Sequence, residues 1–383
     1  MLLAHVSDTH LGYKQYNLDE REDDFNKVFE EFVDKVLEDH VKVVVHSGDM
    51  FDSFRPTIKA LYTAKEQLKR LKDKNVKVFT VLGDHDFPKR RGMPPHKLFD
   101  DSLTLLGVEE RGRGVRRGCI VESDGKEVYV GGVVNMTRRY RDVLLSELNR
   151  VVEEARKYWR SVVVMHQAVN VYMDYDFQLS VNEIPTGISY YAMGHFHNRR
   201  KMTIGDGVLA YAGSTEITRR DEIDEWKRNG KGFYLIDVSS DIPEVQPVEL
   251  SVRPQAEVTI KYERLREEAE EAVRAFKGGV KPILHVKVTG ANIDRRAALD
   301  ILEKVFSHDK VLHWRPEFED ETVRELVGSS WRTLSHKELL GELLGGDLAE
   351  FAWELFNILK GGGKEDLEEA KKLVERFFEE GSW

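Results

Sequence analysis

Seven residues with the donor chemistry of a hard-metal centre are spread along the amino-terminal part of the chain: Asp8, His10, Asp49, Asp84, His166, His195 and His197, with His85 and Asp86 beside Asp84. Carboxylates and imidazoles together, with no thiolate competing, suit Mn, Fe or Zn better than Mg or Ca, which favour oxygen-only shells. The sole cysteine, Cys119, is near none of these motifs. Two divalent ions about 3.5–4 Å apart can share one carboxylate, generate hydroxide at neutral pH and stabilise both the attacking and the leaving oxygen of a phosphoryl displacement. Any one fragment is weak, because Asp-x-His and His-x-His occur by chance and Gly-Asp is a common turn. Their order and their placement carry the reading of a two-metal phosphoesterase.

The placement follows from the elements around them. Leu2 to Val6, Val41 to His46, Val76 to Leu82, Ser161 to Met165 and Tyr190 to Met193 are apolar or β-branched runs that predict strands, and each run ends at a donor. In layered α/β structures the loops at strand ends converge on one rim, so donors far apart in sequence can share a pocket. Gly48, Gly83 and Gly194 each precede a donor, where the missing Cβ permits a sharp turn and close backbone approach. Phe25, Val28, Phe29, Phe32, Val33, Val36 and Leu37 recur at helical spacing and predict a core face rather than a binding groove. His5 and His46 lie inside strand runs and read as packed core residues. His40, His96, His285, His308, His313 and His336 match no motif.

Composition bounds the function class. A chain of 383 residues with 41% hydrophobic content can bury a sizeable core in two or three domains. No run approaches membrane-spanning length, the first strand leaves no room for a signal peptide, and one cysteine excludes a disulfide framework; an intracellular location is expected. The net charge of −10 weighs against non-specific nucleic-acid binding, but the distribution of charge matters more than its sum. Basic clusters at Lys89-Arg90-Arg91, Arg138-Arg139 with Arg141, Arg199-Arg200-Lys201 and Arg219-Arg220, several just after a donor motif, are expected to ring the pocket and contact phosphate. Pairing with neighbouring Asp and Glu is the plainer alternative.

Beyond residue 250 the pattern changes. Ser251-Val252-Arg253-Pro254 reads as a linker. Strands at Glu257 to Lys261, Ile283 to Val288 and Val311 to Trp314, with helices from Arg264 to Phe276 and Asp294 to Phe306, predict a small α+β unit. Leu348, Phe351, Ala352, Leu355, Phe356 and Leu359 then mark an amphipathic helix. After Gly361-Gly362-Gly363 a second follows, carrying Leu367, Ala370, Leu373, Val374, Phe377 and Phe378. Ser335 with Glu338, and Asp347 with Glu350, read as helix-start pairs. Two such helices cannot bury their apolar faces on each other alone; they need a partner or the protein body.

Asp8-Thr9-His10, Gly48-Asp49, Gly83-Asp84-His85-Asp86, His166 and Gly194-His195-Phe196-His197 resemble the calcineurin-like metallophosphoesterase superfamily over about the first 250 residues. Ser7 to Gly12, Gly48 to Asp52, Tyr190 to His197 and Ala212-Gly213-Ser214 are similar to its SbcD-type nucleases of double-strand-break repair, the meiotic-recombination nuclease of archaea and eukaryotes. The resemblance implies a layered α/β β-sandwich flanked by helices (1–250), a small α+β capping domain that helps select DNA (251–325) and a helical partner-binding segment (326–383). It implies two Mn(II) ions: Asp8, His10, Asp49 and His197 would hold one, while Asp49, Asp84, His166 and His195 would hold the other. His85 would stand beside the phosphate as the catalytic residue, oriented by Asp86. The implied activity is a 3′-to-5′ exonuclease on duplex ends and a single-strand endonuclease. The implied assembly is a homodimer, with the helices between Pro56 and Lys72 and near Pro95 to Leu106 as contacts, bound through its terminal helices to an SMC-like coiled-coil ABC ATPase. Two residues depart from the family pattern: Asp84 replaces a neutral amide, adding negative charge, and Asp52 stands where many members have histidine. A protein phosphatase or small phosphodiester hydrolase would share every ligand, and a non-catalytic DNA-end scaffold would keep the fold.

Overall fold

The computed structural model describes residues 1–88, 92–110, 112, 114–173, 177–276, 279–321, 340–341, 344–359 and 364–379. The Lys89-Arg90-Arg91 cluster, the Ser335–Glu338 pair and Gly361-Gly362-Gly363 lie outside them. Two compact units emerge, Met1–Ala256 with Gly278–Ile283, and Glu257–Lys277 with Leu284–Trp383.

In the first unit the strands run, in chain order, β1 (Leu2–Val6), β2 (Val43–His46), β3 (Lys77–Thr80), β4 (Thr104–Leu105), β5 (Glu109–Glu110), β6 (Gly114–Val115), β7 (Gly118–Ser123), β8 (Lys126–Val133), β9 (Arg160–His166), β10 (Tyr190–Gly194), β11 (Arg200–Ile204), β12 (Gly207–Tyr211), β13 (Gly232–Asp237) and β14 (Glu244–Glu249). They form two six-stranded sheets, ordered β14-β13-β1-β2-β3-β4 and β11-β12-β10-β9-β8-β7. The predicted strand runs all appear, with ends shifted by a few residues.

Side chains alternate along a strand, and this alternation builds the layers. Leu3, Val43, Val45 and Phe79 point between the sheets, where they meet Val130, Val162, Val164 and Tyr190. Ala4, Val6, Val44 and Val78 point outward against Val28, Phe29, Phe32, Val33 and Val36 of helix α1 (Asp19–Glu38) and Leu68 and Leu71 of α2 (Ile58–Asp73). On the other sheet Val163, Met165 and Tyr191 point out against Leu144, Leu148, Val151 and Val152 of α3 (Arg141–Ala155). The result is a helix–sheet–sheet–helix sandwich. Because β1, β2 and β3 are parallel, as are β8, β9 and β10, each sheet gathers its carboxyl ends on one edge. A short α4 (Ile223–Asn229) precedes β13.

The second unit contains the three-stranded sheet β15 (Gln255–Lys261), β16 (Ile283–Gly290) and β17 (His313–Asp320), in that order, with α5 (Leu265–Arg274) and α6 (Arg295–Val305). Asp294 caps α6 by accepting the Arg296 and Ala297 amides at 3.0 and 3.1 Å. Helices α7 (Gly346–Leu359) and α8 (Lys364–Glu379) meet through stacked Phe351 and Phe377 rings, 4.0 Å between centroids. Leu348, Phe356 and Phe378 stay exposed. No described helix is long and apolar enough to cross a membrane.

Candidate metal centre

The carboxyl-end loops are tied together before any ion is considered. Asp8 donates its amide to the Gly48 carbonyl and His10 to that of Asp49, both at 3.1 Å, which locks the β1 loop to the β2 loop. The buried Asp86 carboxylate accepts amides from Asp49 at 2.8 Å and from Gly83 and Phe51 at 3.1 Å, locking the β2 loop to the β3 loop. Backbone strain concentrates here: Asp8, His10, Asp49 and His195 have φ of 50°, 41°, 54° and 90°, a region unfavourable for side-chain-bearing residues and enriched at functional sites. Two glycines are sterically required. A Cβ on Gly83 would lie 2.0 Å from Asp49 Oδ1, and one on Gly194 would lie 2.1 Å from the Ser47 carbonyl oxygen.

These loops bring the seven donors predicted from sequence together: His10, Asp49, Asp84, His195 and His197 line one open cleft of about 590 Å³ with His85, and the buried Asp8 and His166 have ligand atoms within 4.8 Å of theirs. In one half, Asp8, His10 and His197 place ligand atoms within 4.8 Å of one another. His197 donates Nδ1–H to Glu222 Oε1 at 2.8 Å, so its Nε2 carries the lone pair. The buried His10 Nδ1 faces Asp52 Oδ1 at 3.5 Å, which turns its Nε2 the same way. The two Nε2 atoms are 3.2 Å apart, about the separation of two donors ~2.1 Å from a shared cation. In the other half, His166 donates Nδ1–H to the Ser47 carbonyl at 2.7 Å and presents its Nε2 lone pair to Asp84 Oδ1 at 3.0 Å and Asp49 Oδ2 at 3.4 Å. His195 Nδ1 lies 3.1 Å from the same Asp84 oxygen. Asp49 belongs to both groups, grouped with Asp8 and His166 and again with Asp84 and His85. Acceptors facing acceptors this closely are repulsive unless a cation or a proton lies between them, so the donor set fits a dimetal site.

The same crowding sets the titration of the metal-free groups. Burial opposes a charge on His10, but Asp52, Asp49 and Asp8 outweigh it and push its pKa up to about 9. Burial likewise opposes a charge on His166, yet Asp49 and Asp84 hold it well above the ordinary imidazole value. The carboxyl groups of Asp49 and Asp84 are held low against their own desolvation, Asp49 chiefly by His166 and His10, Asp84 by His166 and His195.

Two expectations need correction. Asp86 does not orient His85; its oxygens are engaged with loop amides, and His85 Nδ1 donates instead to the Asp52 carbonyl at 2.7 Å. Arg199 is not a rim residue either: it is buried and donates to the carbonyls of Asn229 at 2.9 Å and Val248 at 2.6 Å. Arg141 and Arg200 pair with Glu183 and Glu225, and among the described basic clusters Arg219 lines the cleft, itself 3.6 Å from Asp221 and Glu222. Sequence reading missed Asp52, Ser47, Glu222 and Lys231. Asp52 was visible as a departure, while the other three act through contacts that only the fold creates. His5 and His46 are buried core residues, with His5 bonded to Tyr190 Oη and Ser47 Oγ, both at 2.8 Å.

The calcineurin-like phosphoesterase family model matches residues 1–199. The DNA double-strand break repair protein Mre11 of Methanocaldococcus jannaschii is 36% identical over 292 residues, 75% of this chain and 76% of that one. The protein of the same name from Saccharolobus solfataricus is 36% identical over 342 residues, 86% and 85% of the two chains. The chain belongs to the Mre11 family of calcineurin-like phosphoesterases. Among solved structures, a dimetal phosphatase from Danio rerio overlaps 66% of this Mre11-family chain and 98% of its own, at 12% identity and a TM-score of 0.43.

Proposed function

We propose that this chain is a DNA double-strand-break repair nuclease that hydrolyses phosphodiesters with two manganese ions, one held by Asp8, His10, Asp49 and His197 and the other by Asp49, Asp84, His166 and His195. The observation that carries the reading is the pair of inward-facing imidazole lone pairs 3.2 Å apart, with Asp49 common to both donor groups, in a chain of the Mre11 family. Bound there, the ions would activate water and stabilise charge on the reacting phosphate. The residues do the rest. With His85 Nδ1 donating to the Asp52 carbonyl, Nε2 is the nitrogen left to meet the phosphate and to pass a proton to the departing sugar oxygen. Asp86 keeps Asp49 and the β3 loop in register, and Arg219 supplies positive charge at the cleft wall.

The activity is 3′-to-5′ cutting of duplex ends and endonucleolytic cutting of single strands inside the cell. The segment 251–325 selects DNA among phosphodiesters. Exposed Ile58 and Tyr62 on α2, with Met93 and Leu98 beyond β3, supply the apolar contacts of a homodimer. The segment 326–383, with Leu348, Phe356 and Phe378 exposed on its two helices, docks on the coiled coil of an SMC-like ABC ATPase.

The test is cleavage of 3′- and 5′-labelled duplex and single-stranded DNA, with and without manganese, by the native chain and His85→Gln. The expected result is a rate loss of about 10²–10⁴-fold in the variant with metal uptake unchanged. Hydrolysis of an aryl phosphodiester with no DNA cleavage would point to a phosphatase-like enzyme, and inactivity on both, even with the ATPase added, to a scaffold.

A further inference from the structure

We infer that Glu222, held by Lys231, is a positioning residue for His197, and that it makes the site formed by Asp8, His10, Asp49 and His197 the tighter of the two. The inference rests on the dimetal reading above and concerns residues that reading does not use.

Both side chains are almost fully enclosed, 1% exposed for Glu222 and 2% for Lys231. Glu222 Oε1 accepts His197 Nδ1–H at 2.8 Å and the Thr218 hydroxyl. Its Oε2 accepts Lys231 Nζ at 2.6 Å and the Thr218 amide at 3.2 Å. Lys231 Nζ also donates to the carbonyl of His197 itself at 2.8 Å and to Ser214 Oγ at 2.7 Å. The pair therefore grips the ligand twice, at its imidazole and at its peptide.

A buried ion pair is a poor source of stability, because desolvating both charges costs about as much as their attraction returns. Its consequence here is geometric. With every lone pair of Glu222 directed at a donor, the carboxylate can act towards His197 only as an acceptor. That fixes the tautomer and the ring orientation, with the Nε2 lone pair on the metal side. The opposite half lacks this arrangement. His166 donates to a neutral carbonyl, that of Ser47, and among the described residues the His195 imidazole meets no carboxylate other than the proposed ligand Asp84, although its backbone amide donates to Asp8 at 3.2 Å.

The experiment is calorimetric titration of Mn(II) into the chelator-treated full-length chain. The native protein should bind two equivalents of unequal affinity, and His166→Asn should remove or weaken the weaker one. Glu222→Gln, which keeps the shape and removes the charge, should weaken the tighter equivalent by about tenfold or more and leave the other unchanged. Because Glu222→Gln strands a buried lysine, Glu222→Gln/Lys231→Met is the companion variant; it should recover thermal stability but not metal affinity. A folded double variant with native affinity for the tighter equivalent would overturn the inference, as would a loss confined to the weaker one. A native chain that takes up no manganese would instead bring down the dimetal reading, and this inference with it.

Discussion

The two halves of the centre differ in the charge that stands behind their ligands: each has Asp49 and one further carboxylate among its donors, Asp8 in one and Asp84 in the other. Around His10 and His197 the additional carboxylates, Asp52 and Glu222, stand behind the imidazoles, against their Nδ1 atoms. Around His166 and His195 no such carboxylate stands behind the rings among the described residues, and Asp84, a donor, has one oxygen 3.0 and 3.1 Å from the two rings. Charge behind a ligand makes that ligand a stronger base without taking a coordination position. Charge in the donor ring binds the cation directly and offsets part of the positive field that a reacting phosphate would feel. One half is thus built for retention through its surroundings. The other gains retention from Asp84 at the expense of Lewis acidity.

The carboxylate common to both halves gives the largest expected effect. Asp49→Asn should weaken both manganese equivalents and, by removing several kcal/mol of transition-state stabilisation, lower DNA cleavage by about a thousandfold or more. Calorimetry and cleavage on the same preparation check it; loss of one equivalent alone would show that Asp49 does not bridge. A smaller effect is expected of Asp84→Asn. It should weaken the equivalent on the His166 side by about tenfold, or ~1.4 kcal/mol, while turnover at saturating metal persists. Unchanged affinity would erase the contrast between the halves.

The donors were legible in the sequence because several individually weak fragments recur in order, each at the end of a strand run. The strands and their covering helix were legible through the apolar runs Leu2 to Val6 and Val41 to His46 and the helical stripe from Phe25 to Leu37, and the sandwich through the family resemblance. What the sequence hid is whatever depends on a main-chain group or on a second distant element. The Asp52 carbonyl that orients His85 has no residue-type signature, and any residue could supply it. Asp86, adjacent to His85, invited a side-chain pairing, yet a fully buried carboxylate beside free loop amides satisfies those first. Arg199 sat in a basic cluster, but the strands β13 and β14 close over it and turn it into a donor for their carbonyls. Glu222 and Lys231 lie in an ordinary charged stretch, and only the return of β13 beside β1 brings them to His197.

The smallest expected effect concerns protons. In the metal-free chain His10 is desolvated by burial, but Asp52 first, then Asp49 and Asp8, outweigh this and set its pKa at about 9. Since that exceeds the unfolded value of about 6.5, its contribution to stability, of order a few kcal/mol, is complete below about pH 6.5 and lost as pH rises through 9. Metal binding needs the neutral imidazole and so expels that proton. The gap in Tm between manganese-loaded and chelator-treated protein should therefore widen as pH is raised from about 6.5 to 9. Asp52→Asn removes the carboxylate behind His10, lowers that pKa and should flatten the widening over the upper part of the range. The same slope in Asp52→Asn as in the native chain would mean that the proton belongs to the His166 half, where burial is likewise outweighed by Asp49 and Asp84, and that the charge behind His10 leaves its basicity unaltered.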